Sequence, residues 1–152
     1  MNSDRLHILI VGCGGREDAI AKALHRSKFQ PRLFCFGTYR NPGILALVTA
    51  YGTAESITDV KAIVNFSSET NIDFAIVGPE APLEKGVVDA LNEIGVGCIG
   101  PFRSLAKLET SKEYTRKLLN KYGLSQFSPK WRSWNNNNFQ KIVHDPAQLL
   151  DL

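Results

Sequence analysis

Residues 6–17 read Leu6-His-Ile-Leu-Ile-Val-Gly-Cys-Gly-Gly-Arg-Glu17, and this stretch decides the fold. An apolar run of strand length, broken only by His7, is what a β-strand buried on both faces looks like. Gly12-Cys13-Gly14-Gly15 ends it with the punctuation of a tight strand-to-helix turn. From Arg16 the apolar residues Ala19, Ile20, Ala23 and Leu24 recur with helical period, and Pro31 stands just beyond a basic last turn at His25, Arg26 and Lys28. Strand, glycine turn and helix make the first half of a β-α-β unit.

The pattern repeats outward from there. Leu33 to Phe36 is a second strand closed by Gly37, while Leu45 to Ala50 has a period that fits a strand or a helical turn. Thr58 or Asp59 caps a helix carrying Val60, Ile63, Val64 and Phe66, and Asp73 to Val77 follows as a third strand ending at Gly78-Pro79. One helix is expected from about Leu83 to Ile94, stopped by Gly95, then a fourth strand at Cys98-Ile99 ended by Gly100-Pro101. Ser104 to Leu108 and Ser111 to Tyr122 are helical, and Gly123 closes the second of these. Strands alternating with helices at this spacing predict an α/β fold with a mostly parallel sheet and helices on both faces. The expected organisation is an α/β domain over residues 1–123, followed by an exposed connector over 124–152 that holds Pro129, Trp131, Trp134 and four asparagines at 135–138.

The totals exclude more than they select. With 43% hydrophobic and 22% charged residues the 152-residue chain has the balance of a domain that buries a core. A net charge of +3 is too small an excess to argue for nucleic acid or a membrane surface, and no apolar segment has the length of a membrane span. Cys13, Cys35 and Cys98 are odd in number and widely separated, which fits neither a disulfide framework nor a metal spacing, and His7, His25 and His144 complete no triad or metal site. A soluble, cytoplasmic protein with reduced thiols is the expectation.

Ligands of open parallel sheets bind at the carboxyl ends of the strands, which directs attention to the loops after Val11 and Val77. Gly12, Gly14 and Gly15 let the backbone approach a ligand, and the start of the following helix favours an anion such as phosphate; the plainer reading is a turn that simply needs glycine. A dinucleotide site fails, because the G-x-G-x-x-G frame from Gly12 places Glu17 at its third glycine and Arg32 to Arg40 holds no carboxylate for a ribose. Arg16 in the first helical turn opposes the helix dipole and so suggests a task other than stability, the plainer reading being a solvated arginine. Pro79 and Pro82 stiffen the loop that holds Glu80, suited to sugar hydroxyls or an amine, whereas Glu84 reads as an ordinary helix-start carboxylate and Asn41-Pro42-Gly43 as a turn. Between Arg103 and Arg132 basic residues predominate; Lys112 and Arg116 lie one turn apart and suit a polyphosphate, although such a run also suits a solvated helix face.

Taken together, Ile8 to Glu17, Val77-Gly-Pro-Glu-Ala-Pro-Leu83 with Gly86-Val-Val-Asp89, Gly100-Pro101, and Leu108-Glu-Thr-Ser-Lys112 resemble the phosphoribosylamine-glycine ligases over roughly Leu6 to Pro129. The resemblance is to the N-terminal, Rossmann-like domain that precedes the ATP-grasp in that family, and the Asn41-Pro-Gly43 turn is closest to the archaeal type. It implies an ATP-driven carbon–nitrogen ligase of purine biosynthesis that activates glycine as an acyl phosphate for attack by the amine of phosphoribosylamine. Carried over by motif, Gly12, Gly14, Gly15, Arg16, Glu17, Pro79 and Glu80 would bind phosphoribosylamine and glycine, and Lys112 would reach ATP. No residue of this stretch is expected to be catalytic or to bind a metal. ATP and magnesium are implied for the full enzyme, with the ATP-grasp domain as the partner of this one, and the 152 residues alone are expected to hold neither and to ligate nothing. Asp18 stands where bacterial members commonly have histidine. A binding module without catalysis is the alternative, and an NAD-dependent oxidoreductase is disfavoured by Glu17.

Overall fold

The structure is a computed structural model and describes residues 5–133. Trp134, the asparagines at 135–138 and His144 lie outside the described residues. The chain forms two compact units, residues 1–110 and 111–152.

The first unit is built on a five-stranded, all-parallel sheet in the order β3-β2-β1-β4-β5. Its strands are β1 (His7–Val11), β2 (Arg32–Gly37), β3 (Ala50–Thr53), β4 (Phe74–Val77) and β5 (Gly97–Ile99). The helices between them are α1 (Gly15–His25), α2 (Pro42–Leu45), α3 (Val60–Glu69), α4 (Glu80–Glu84) and α5 (Val87–Glu93), and α6 (Arg103–Thr110) follows β5. Both sheet faces are covered, as the unbroken apolar strands require. Successive residues of β1 alternate between the two sides. Leu9 and Val11 join Phe34, Phe36, Ile63, Val77 and Leu91 in the larger core, against α3 to α6. Ile10 joins Cys35, Ala21 and Ile44 on the other face, under α1 and α2.

One open stretch is settled, and the helix expected after β4 is corrected. The ambiguous stretch at 45–50 resolves into the end of the short helix α2 and the start of a fifth strand, β3, that pairs with β2 from Phe34↔Ala50 onward. The run from Leu83 to Ile94 is two helices, because Gly86 adopts a left-handed φ of +84° and its amide bonds to Leu83 O at 3.0 Å, terminating α4 before α5 begins. α4 also begins before Leu83, directly after Pro79, so that Glu80 is its first residue instead of a loop residue.

The second unit, in the part described, holds α7 (Lys112–Lys121) and a 3-10 turn at Ser125–Phe127. Ser111 Oγ accepts from Tyr114 N at 3.3 Å to cap α7, and Arg116 Nη1 donates to Ser128 Oγ at 2.9 Å.

Candidate functional site

The strand order fixes where a ligand would lie. From β1 the chain builds outward through β2 and β3, then crosses back to place β4 on the other side of β1. The loops after β1 and β4 therefore leave the sheet in opposite directions and open a crevice between them. Those loops are Gly12–Gly14 and Gly78-Pro79, and the first turns of α1 and α4 continue them.

The glycine turn is held from every side. Gly12 N donates to Phe36 O at 2.8 Å, and Gly12 O accepts from Cys35 Sγ at 3.3 Å. Cys13 O accepts from Asn41 Nδ2 at 3.0 Å. Gly14 N donates to Glu17 Oε2 at 2.7 Å, so the helix caps its own first turn with a carboxylate, where the helix dipole favours negative charge. Gly12 adopts φ +118°, a conformation that glycine takes readily and other residues rarely do.

Glu17 is only 5% exposed, and its carboxylate fills the space between the two loops. A Cβ on Gly12 would come within 2.9 Å of Glu17 Cδ and of Pro79 Cδ, and one on Gly78 would overlap Glu17 Oε1. The glycines at 12 and 78 are thus the room that Glu17 needs. Gly15, by contrast, faces open space. Glu17 Oε1 lies 3.2 Å from Arg16 Nε, which directs the Arg16 side chain across the crevice; there Nη2 donates to Gly78 O and Nη1 sits 3.6 Å from Glu80 Oε1. The hydrogen bond to Glu17, followed by the attraction of Glu17 and Glu80, holds the guanidinium above its ordinary pKa against the opposing effect of burial.

The structure therefore brings Gly12, Gly14, Gly15, Arg16, Glu17, Pro79 and Glu80 together at one switch point. Lys112 is the exposed first residue of α7, in the second unit. Two positions that shape the crevice were not singled out from sequence. Gly78 is one. The other is Asn41, which read as a turn but both caps α2, through Oδ1 and Gly43 N at 2.9 Å, and ties down Cys13 O. Its signal was available: Asn-Pro-Gly stands at the carboxyl edge of a parallel strand. Among the described residues no group of three or more His, Cys, Asp or Glu side chains is placed to hold a metal ion, so no magnesium site is drawn from them.

An open parallel sheet, wound outward on both sides of β1 and with its glycine turn and the start of α4 facing each other across the switch point, defines a doubly wound α/β domain. Residues 6–109 match the family described as Phosphoribosylglycinamide synthetase, N domain, and the chain belongs to that family. It is similar to the phosphoribosylamine–glycine ligase of Thermococcus kodakarensis, with 44% identity over 152 residues, covering 95% of this chain and 34% of the relative. The corresponding ligase of Methanocorpusculum labreanum is 45% identical over 119 residues, covering 78% of this chain and 27% of the relative. The chain thus spans about a third of the length of the curated relatives it matches. Among solved structures, a biotin carboxylase from Campylobacter jejuni shares the fold with a TM-score of 0.60 at 18% identity, over 77% of this chain and 28% of that one.

Proposed function

We propose that this domain supplies the phosphoribosyl-binding edge of a phosphoribosylamine–glycine ligase of purine biosynthesis. The enzyme joins glycine to phosphoribosylamine at the expense of ATP and gives glycinamide ribonucleotide. The observation that carries the reading is Arg16 facing Glu80 across the β1/β4 switch point, inside the stretch that matches the family. Gly15 and the following amides of the first turn of α1 receive the phosphate, with Arg16 as its counter-charge, and Gly14, whose N–H Glu17 holds, lets the ligand approach. Glu80 and Pro79 take the ribose hydroxyls or the amine. Glu17 acts from beneath, through Gly14 and Arg16, and Gly12 gives it room. Lys112 is assigned to ATP.

The chemistry this asks of the domain is positioning and charge neutralisation, with no covalent protein intermediate. Glycine activated as an acyl phosphate is attacked by an amine, and the domain's share is to hold that amine where it reacts. Calorimetric titration of the 152-residue chain with glycinamide ribonucleotide tests this. Saturable one-site binding is expected, weakened at least about tenfold by Arg16→Ala, the scale of one charge-assisted pair. Equal affinity of the variant and the wild type would remove the assignment.

A further inference from the structure

At the amino ends of the strands, opposite the crevice described above, the sheet unit holds an aromatic ring out in water. Phe29 is 76% exposed and Leu6 56%, and together with Ile8, Leu24 and Pro31 they line a groove of about 390 Å3. The turn that presents Phe29 is fixed by hydrogen bonds. Ser27 N donates to Leu24 O and Gln30 N to Ser27 O, both at 3.0 Å, and Phe29 N donates to Ser27 Oγ at 3.3 Å. Arg32 N then closes on Leu6 O at 2.9 Å, which ties the turn to the strand that forms the groove's floor. Gln30 takes a left-handed φ of +43° within this turn, a conformation that residues with side chains rarely adopt. An exposed ring and a strained backbone both cost stability, and keeping both marks a surface shaped for contact.

The rim of the groove is basic. Arg5 lines it, with Nη2 donating to Gln30 Oε1 at 3.3 Å, and Lys28 Nζ stands 5.3 Å from the centre of the Phe29 ring. From Ala19 to Arg32 the chain carries Lys22, Arg26, Lys28 and Arg32, and no Asp or Glu follows Asp18 until Glu55. Lys22 is taken by Asp18, whereas among the described residues Arg5, Arg26, Lys28 and Arg32 pair with no carboxylate. We propose that this groove docks an acidic segment of another protein, which inserts one apolar side chain beside Phe29 and sets its carboxylates against Arg5 and Lys28. An apolar anchor supplies affinity at such a surface, and the complementary charges around it select the partner. The concave shape suits a peptide side chain, whereas a bilayer takes up an apolar face that projects into it. The cations surround an aliphatic floor and form no track for a phosphate backbone. Because the groove lies at the other end of the strands, the inference does not depend on the phosphoribosyl reading.

The test selects a displayed library of random short peptides on the 152-residue chain, then measures the enriched peptides by fluorescence anisotropy against wild type, Phe29→Ala, Lys28→Glu and Lys61→Glu. Phe29 and Lys28 are exposed, so their variants should keep the wild-type circular dichroism; Lys61, exposed on α3, controls for net charge. The enriched peptides are expected to share an apolar residue flanked by Asp and Glu. Phe29→Ala should weaken them about tenfold or more, as loss of an aromatic anchor does. Lys28→Glu should weaken them about three- to tenfold, the scale of exposed charge pairs, and Lys61→Glu by less than about twofold. Enrichment without that consensus, equal binding by Phe29→Ala, or a loss in Lys61→Glu as large as in Lys28→Glu overturns the proposal. Sedimentation of the chain alone and with phosphatidylserine vesicles covers the other occupants: a dimer or vesicle binding that Phe29→Ala abolishes, in place of peptide enrichment, overturns it in favour of a second copy or a lipid surface.

Discussion

Replacing Gly78 by alanine should damage the protein through Glu17 and almost nothing else. The backbone there is not in the left-handed region, so alanine brings no conformational strain of its own. The new methyl would overlap Glu17 Oε1 and come within 2.7 Å of its Cδ. Overpacking of this kind costs about 1–3 kcal/mol. Should Glu17 move aside to relieve it, the bond it accepts from Gly14 N goes as well, at about 1.5–3 kcal/mol for a charged acceptor, so both routes lead to a similar loss. Glu17→Ala alone should cost about the same, from that bond. The double variant should cost little more than Glu17→Ala, because the clash has lost its partner, which gives a coupling of about 1–3 kcal/mol. Hydrogen exchange of the β1 and β4 amides reads this in the sheet unit alone. Losses that add within about 0.5 kcal/mol would refute the steric account of Gly78.

Other parts of the structure lead to separate expectations. Asn41→Ala removes the cap of α2 and leaves Cys13 O without its donor, and should lower stability by about 1–2 kcal/mol in urea titration, whereas Asn41→Asp keeps the cap but sets a carboxylate oxygen against Cys13 O and should not recover that loss. Leu9→Ala empties a fully buried position in the larger core and should cost about 2–5 kcal/mol by the same measurement. Burial pushes the Cys35 thiol up from 9.0 to about 12, partly offset by a hydrogen bond with Tyr51, and burial pushes Cys98 to about 11. A raised folded-state value means that the stabilising share of each proton is complete below about pH 9 and is lost as pH climbs toward the folded value. The urea midpoint should therefore fall between pH 9 and 11, less steeply in Cys35→Ala, and native-state alkylation at pH 8.5 should modify Cys98 before Cys35.

Long apolar strands and their glycine stops were legible because they report burial on both faces, which no other element of this chain imitates. β1, β2 and β4 follow from that signal, whereas β5, three residues with Ile99 exposed, is marked by the Gly100-Pro101 stop. β3 did not, since Ala50-Tyr51-Gly52-Thr53 is a half-covered edge strand without a continuous apolar run, and only its pairing with β2 identifies it. The division of α4 from α5 was hidden because Val87, Val88 and Leu91 keep the period of a single helix, and Gly86 reveals the break only through its φ. At the site, the glycines and the charged residues could be nominated from their place after strands. Their partnership could not, because the 62-residue separation between Arg16 and Gly78 is closed by strand order alone.

The position that excluded a dinucleotide site in the sequence also explains the arrangement that replaced it. In the G-x-G-x-x-G turn the third glycine lets the helix pack closely on the strand. Here that position is Glu17, and its carboxylate fills the space between the turn and the loop after β4. The requirement for glycine thereby falls on the loop that faces the helix, at Gly78, beside Gly12, which its φ of +118° already requires. A charge buried in this way is tolerable only when it is bonded, and Glu17 is, to Gly14 N on one oxygen and Arg16 Nε on the other. The arginine is in turn the group that reaches Glu80. One substitution relative to the dinucleotide frame therefore accounts for the glycine at 78 and for the orientation of the site's cation.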